Sequence, residues 1–501
     1  MSAATRSTAR MARAATAPEI QPRGQALLTG GLAGMAGGLV FGAALTELAP
    51  LPSMALLMVT GSAALGFLLH MLVGGVLGSG FGLLLRWRRA GPGETVAYGV
   101  AYGALWWYAG PLTLMPILLG VDPAWGLQVA QEQFAGLVGH LLWGGVTGLA
   151  VVLLRRPARP GLPSFRLGEG RLASGMLAGV AGAWLVAALF GTGPTGIAAL
   201  IGRALGAGPV LAATLLGPLV GLGYALLFPR TTSGTGVAII RGQVYGFLWW
   251  IAADLTLVPL LGGELTWSID AARTAFGALP GFLLLGVAVA TLDRWVHATS
   301  RLLFSDDVRE VSQLRARGGL PAVVRDMAAG SAGGLLFTLA MHQTGYLATV
   351  ARLAGSDSEL AGFAVHLLIS TAIGVTFGQL FRDDHGDLGS SLGWGLAYGF
   401  LWWNLGALTL LPMLLGGPPQ WAAGEAAGAF GSLIGHLAYG LGLSAAFHAL
   451  ETRLGTGRIR RALGEDRTDG ARAAVVATAP ALSAVTLVIV LVVPMVVAGT
   501  R

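Results

Sequence analysis

Apolar positions in this chain do not alternate with polar ones at a helical or a strand period; they run on. Stretches of about 20 apolar residues follow one another with short polar breaks, each long enough to cross a hydrocarbon core of about 30 Å as a helix. The pattern predicts spans near Gly30–Thr46, Ser62–Leu85, Thr95–Leu119 and Phe134–Leu154. A second set lies near Leu172–Leu189, Val210–Phe228, Val237–Leu261 and Ala275–Leu292, and a third near Met327–Met341, Leu360–Phe381, Leu392–Leu415 and Phe430–Leu450. A final Val-rich span near Ala473–Ala498 brings the expected number to 13. The predicted fold is an all-α polytopic membrane protein.

The first three sets share one sequence. Tyr102-Gly-x-Leu-Trp-Trp, followed by Leu-Thr-Leu-x-Pro116 and a closing Leu-Leu-Gly120, returns from Tyr245 to Gly262 and from Tyr398 to Gly416. Gly34-x-Ala-Gly37 matches Gly179-x-Ala-Gly182 and Gly330-x-Ala-Gly333, and Trp125, Trp267 and Trp421 each stand five residues after a motif-ending glycine. The expected organisation is a disordered cytoplasmic tail (1–24), four-span repeats at 25–156 and 171–294, a cytoplasmic connector (295–325), a third repeat (326–453) and a last span (473–500). An even number of spans per repeat makes the repeats parallel rather than inverted.

Composition agrees: hydrophobic residues are 54% of the chain, charged residues 11%, and mean hydropathy is +0.71. The 79 glycines suit close helix approach in lipid. With no cysteine, disulfides, thiolate metal sites and thiol nucleophiles are excluded. The net charge of +7 is no nucleic-acid footprint, because arginines gather at span ends. With the N-terminus inside, all but Arg203, Arg273, Arg352 and Arg501 fall on the cytoplasmic side, so the C-terminus is expected outside, in a cell membrane.

The order of span, short surface segment, span, Trp-bearing span and Gly-rich span resembles the four-span prokaryotic membrane domains of unknown function, YagU-like inner-membrane proteins among them. The resemblance covers each repeat but not the last span. It implies a fold and an inner-membrane location, and it carries over no catalytic residue.

Candidate chemistry is sparse. Pro116, Pro259 and Pro412 cannot donate to the carbonyl four residues earlier, so the Trp-Trp helices should kink there, eased by back-bonding from Thr113, Thr256 and Thr409. The bend serves either packing or a gate. His70 and His140 each head a His-x-x-x-Gly-x-x-x-Gly run, which puts both on close-packed seams. His366 and His436 repeat them, whereas the middle repeat carries Ala213 and Phe282. His70 lies 16 residues before Arg86 and His140 lies 15 before Arg155, so both sit roughly 23 Å from the inner boundary. Asp254 replaces Pro111 and Ala407 at a similar depth; an ionisable group there marks a functional candidate as readily as a structural one. Arg241 is expected to snorkel, and Asn404 is a weaker polar candidate.

No P-loop, dinucleotide fingerprint, HExxH or serine elbow is present, so no enzyme reaction is indicated and no cofactor is expected. Three readings stay open: a transporter or channel for a small ion or solute with a histidine/aspartate layer in the outer half of the bilayer; a histidine-ligated metal or haem protein; and a non-catalytic assembly protein. The bilayer is the expected partner and nucleic acid is not.

Overall fold

The computed structural model describes residues 21–48, 62–87, 90–155, 169–190, 208–229, 234–262, 267–304, 319–382, 384, 386–454 and 479–499. These residues contain no strand, and nine of their helices are long and apolar enough to cross a membrane. The protein is therefore an all-α, multi-pass membrane protein. Four further predicted spans are helical too, but their apolar runs are shorter or broken by Tyr, Trp and charged residues. Residues 1–20 of the expected tail, residues 49–61 of the surface segment expected over Glu47–Gly61, and Arg203 lie outside the described residues; the first helix already begins at Arg23, inside the expected tail. The connector expected from 295 begins as a continuation of the preceding helix, which runs to Phe304.

The first sequence copy forms α1 (Arg23–Leu48), α2 (Ala63–Leu85), α3 (Pro92–Ala109), α4 (Leu127–Glu132) and α5 (Phe134–Leu154). The second forms α6 (Glu169–Phe190), α7 (Pro209–Leu227), α8 (Thr235–Ala252), α9 (Ile269–Ala275) and α10 (Leu279–Phe304). The third forms α11 (Leu320–Thr344), α12 (Tyr346–Ala351), α13 (Glu359–Phe381), α14 (Leu388–Trp402), α15 (Ala423–Gly428) and α16 (Phe430–Leu454). The last helix is α17 (Ala479–Val497). The short helices α4, α9 and α15 stand where the sequence suggested only a loop after the Trp-Trp helix; six residues or so of mixed polarity carry too little periodicity to announce them.

The chain divides into two compact units, Met1–Ala124 with Gly139–Leu162 and Arg467–Ala481, and Trp125–Val138 with Pro163–Asp466 and Leu482–Arg501. In the first unit α1 packs on α2 through Gly30 and Gly34 against Gly74 and Gly78, where a Cβ on any of these would overlap opposing backbone. Lipid gives no hydrophobic drive for two apolar helices to meet, so such small-residue contact, with the interhelical hydrogen bonds it allows, supplies the attraction. Gly175 and Gly179 meet Gly217 and Gly221 in the second unit in the same way, and Gly330 meets Gly374.

The Tyr-Gly dipeptide fixes the third helix of each copy to two others. Tyr102 Oη donates to the Leu77 carbonyl at 3.0 Å, Tyr245 to Val220 at 2.6 Å and Tyr398 to Ile373 at 3.4 Å. The adjoining glycines, Gly103, Gly246 and Gly399, lie on the carbonyls of His140, Phe282 and His436. One turn earlier, Gly99, Gly242 and Gly395 meet Gly144, Gly286 and Gly440 backbone to backbone. The first tryptophan of each pair stands edge-on to its tyrosine, with ring centroids 6.1, 6.3 and 6.1 Å apart.

In the second unit α17 is a core element. Leu482, Val485, Ile489, Val493 and Val496 are fully buried. Its terminal carbonyls, which have no intrahelical donor, are served by α4 and α9. Gln131 Nε2 donates to Met495 O at 2.7 Å, Arg273 Nε to Val496 O at 3.2 Å, and Arg273 Nη2 to Ala498 O at 2.8 Å. The cation also complements the negative end of the helix dipole.

Two outcomes follow. Gly99→Leu drives a side chain into the Gly144 carbonyl; we expect a loss of about 1–3 kcal/mol or failure to fold, as for overpacked cores, read as a lower melting temperature in detergent. Asp387 caps α14, accepting from Ser390 N–H at 2.9 Å, and this bond holds its carboxyl below the ordinary range. A depressed folded pKa contributes stability at pH above the unfolded value, about 3.9. Asp387→Ala should therefore cost about 1 kcal/mol at neutral pH, and the gap to wild type should shrink as pH falls below 4; a gap independent of pH would contradict this.

Candidate functional site

The histidines are placed by the seams described above. His70 Nε2 faces the Gly38 carbonyl at 3.0 Å, and His366 Nε2 faces Gly334 at the same distance. A carbonyl only accepts, so Nε2 carries the proton in both. His436 donates instead from Nδ1 to the Ser432 carbonyl at 2.8 Å. Phe41 stands between His70 and His140 with centroids 5.2 and 5.0 Å away, edge to face; Phe337 stands between His366 and His436 at 5.0 and 4.5 Å. The phenylalanines escaped the sequence reading because an apolar residue in an apolar span gives no signal. Their positions seven residues after Gly34 and Gly330 are matched in the middle copy by Val186, so ring and histidines disappear together.

A ligating histidine commonly donates its other ring N–H to a backbone carbonyl, so the bonds of His70, His366 and His436 suit ligation through the second nitrogen as well as packing. Among the described residues no three His, Asp or Glu side chains converge on a metal-sized site.

The proline segments form π-turns at Gly110–Leu114, Ala253–Leu257 and Trp403–Leu410. The threonine hydroxyls reach five residues back rather than the usual three or four: Thr113 to Tyr108, Thr256 to Ile251 and Thr409 to Asn404, each at 2.8 Å. The carbonyl that proline leaves without a donor is recovered by the chain after the helix. Leu112 O accepts from Ala124 N at 2.8 Å, and Leu408 O from Gln420 N at 2.7 Å. The next residue continues the device, as Trp267 Nε1 donates to Thr256 Oγ1 at 3.0 Å and Trp421 Nε1 to Thr409 Oγ1 at 2.9 Å.

Polar groups inside α8 and its π-turn set the second copy apart. Gln243, Phe247, Trp250 and Asp254 recur at i, i+4, i+7 and i+11, one stripe of the helix, and all four are buried. Gln243 is 1% exposed, and neither its amide nitrogen nor its amide oxygen has a hydrogen-bond partner. Sequence reasoning passed over it; the signal was its replacement by Val100 and Leu396 in the other copies. Asn404 is 1% exposed, reaches the Pro280 carbonyl at 3.4 Å through Nδ2, and leaves Oδ1 without a partner. Arg241 is buried over the Phe228 ring at 5.5 Å rather than extended outward. Arg352 is exposed.

Two ionic clusters at the Arg-rich helix ends were also missed, since acids beside arginines read there as solvated. In the third copy Asp326, fully buried, accepts from Arg382 Nη2 at 2.7 and 2.6 Å. Glu451 accepts from Arg325 Nε at 2.8 Å and also meets Arg382 Nη1. Gly378 leaves room for the Asp326 carboxylate, which a Cβ would overlap. In the second copy Arg171 reaches the Phe228 carbonyl and lies 3.8 Å from Asp293, which His297 approaches at 3.6 Å and Ser174 at 3.5 Å. Ser174 and Asp293 face the same imidazole nitrogen, so this is not a nucleophile–base–acid relay, which needs one partner on each nitrogen. In both copies one guanidinium ties the first, second and fourth long helices together.

Comparison with protein-family models, with curated proteins and with solved structures finds no match for this chain.

Thr409→Val should break the link from Trp421 through Thr409 to Asn404 and leave the buried indole N–H unpaired. We expect a cost of about 1–3 kcal/mol, measured as a lower unfolding midpoint together with a shift in Trp emission; unchanged stability would show that the link contributes nothing.

Proposed function

We propose that the chain is a transporter-like protein of three parallel four-span modules and a thirteenth span, with its N-terminus in the cytoplasm, and that its polar path follows the Gln243–Asp254 stripe. The recurring hydrogen bonds of Tyr102, Tyr245 and Tyr398 and the three π-turns support the triplication, and the distribution of arginine supports the orientation. They also suit the four-span prokaryotic domains that the sequence resembles.

One observation carries the transport reading: the Gln243 amide, buried in an apolar helix, without a protein partner. Leaving such an amide unbonded costs about 2–7 kcal/mol, and lipid supplies no donor or acceptor. Water or a passing solute satisfies it at far lower cost. Asp254, three turns along the same stripe, is the group that exchanges a proton or balances a cation. His70, His366 and His436, anchored to carbonyls, form the packed part of the same polar layer.

A second reading, a non-catalytic assembly protein, is favoured by those anchored histidines. Flux separates the two. Purified protein in vesicles loaded with a pH-sensitive dye should pass protons or a cation, Gln243→Leu and Asp254→Asn should each lower the rate at least about tenfold, and His366→Gln, which keeps a donor for Gly334, should leave it near wild type. A wild-type rate no higher than that of empty vesicles would rule out transport of these ions and leave the assembly reading.

A further inference from the structure

The first copy lacks the counterparts of the two acids that neutralise the Arg-rich end of the third; its own buried acid at that end is Glu94, in the first turn of α3. Positions 296 apart correspond throughout these two copies: His70 with His366, Tyr102 with Tyr398, Phe41 with Phe337 and His140 with His436 make the same contacts in each. By the same spacing Arg382 corresponds to Arg86, Asp326 to Gly30 and Glu451 to Arg155. The third copy thus has one arginine held between two carboxylates where the first has two arginines and a glycine.

The helix ends that carry these arginines are adjacent. Leu85 and Val151, one residue before Arg86 and four before Arg155, belong to one buried cluster with Ala33 and Phe81. Both arginines are half-buried, and the Nε atom of each is shielded from solvent without a hydrogen-bond partner. Arg86 makes its side-chain contact with the Trp87 ring, 4.4 Å from the centroid. Burial pushes the Arg155 guanidinium down from its ordinary value.

We propose that Arg86 and Arg155 form a binding site for a phosphate-type oxyanion at the Arg-rich end of the first copy. Two guanidiniums at adjoining helix ends offer the forked donor geometry that a phosphate accepts, and the anion supplies the negative charge that Glu451 and Asp326 supply in the third copy. The site draws on the correspondence between the two copies and not on transport. A phospholipid headgroup and a free phosphate share the chemistry, and they differ in how they arrive.

The test uses the full chain in nanodiscs of phosphatidylcholine, with either phosphatidylglycerol in the lipid or inorganic phosphate in the buffer. Wild type should gain thermal stability from one of these probes; a gain from phosphatidylglycerol alone identifies a headgroup, and a gain from inorganic phosphate identifies a free anion. Arg155→Glu restores the pairing found between Arg382 and Glu451, so it should remain folded and lose at least about four-fifths of that gain. Arg86→Gln with Arg155→Gln, which adds no acid, should lose the gain equally. Equal stabilisation of the wild type and the double glutamine variant would overturn the proposal, as would the absence of any gain in wild type with both probes.

Discussion

A proline in a membrane helix frees a carbonyl that lipid cannot satisfy, and the three Trp-Trp helices are built around that constraint. Each π-turn lets a threonine hydroxyl reach the carbonyl five residues back. The chain beyond the helix then folds back so that a backbone N–H meets the carbonyl opposite the proline, as Ala124 does for Leu112 and Gln420 for Leu408. With an unpaired backbone group in hydrocarbon costing several kcal/mol, this return dictates where the following short helix starts. A local rule about one missing donor thus shapes the chain that leaves the helix.

The helical class and the membrane setting were legible in the sequence, because runs of apolar residues and glycine spacing are themselves the physical cause. The positions of Thr113, Pro116 and their counterparts were legible for the same reason. What escaped was contact chemistry. Gln243 is a single polar letter in a span, and its lack of a partner exists only once neighbouring helices are placed. Phe41 and Phe337 look like any other core residue until two histidine rings are found against them. Asp326 lies beside Arg325 in the sequence, but its main partner is Arg382, 56 residues away, and Gly378 is what makes room for it.

The middle copy shows what the histidines do not do. Phe282 stands where His140 and His436 stand, and its carbonyl still receives Gly246 as theirs receive Gly103 and Gly399. The seam between the third and fourth long helices is therefore a backbone contact, indifferent to the side chain above it. Histidines retained only for packing have no advantage over phenylalanine there, and the phenyl ring that packs against them is missing from the copy that lacks them. The unit in the first and third copies is thus three side chains, two imidazoles and a phenyl, rather than two independent ligands.

The polar load moves between copies while the frame stays fixed. Where the histidines are lost, α8 and its π-turn gain Gln243 and Asp254, and where the acids of the third copy are lost, the first is left with Arg86 and Arg155. Backbone-mediated packing permits this. Contacts made by glycine and carbonyl groups constrain the helix axes but leave the other side chains at the same level free to change. A fold held by long interlocking side chains would resist such exchange, since each replacement would open a cavity or force an overlap. Glycine seams therefore let repeated sequences keep one geometry while the polar and charged side chains beside them diverge, as they do at Gln243, Asp254, Arg86 and Arg155.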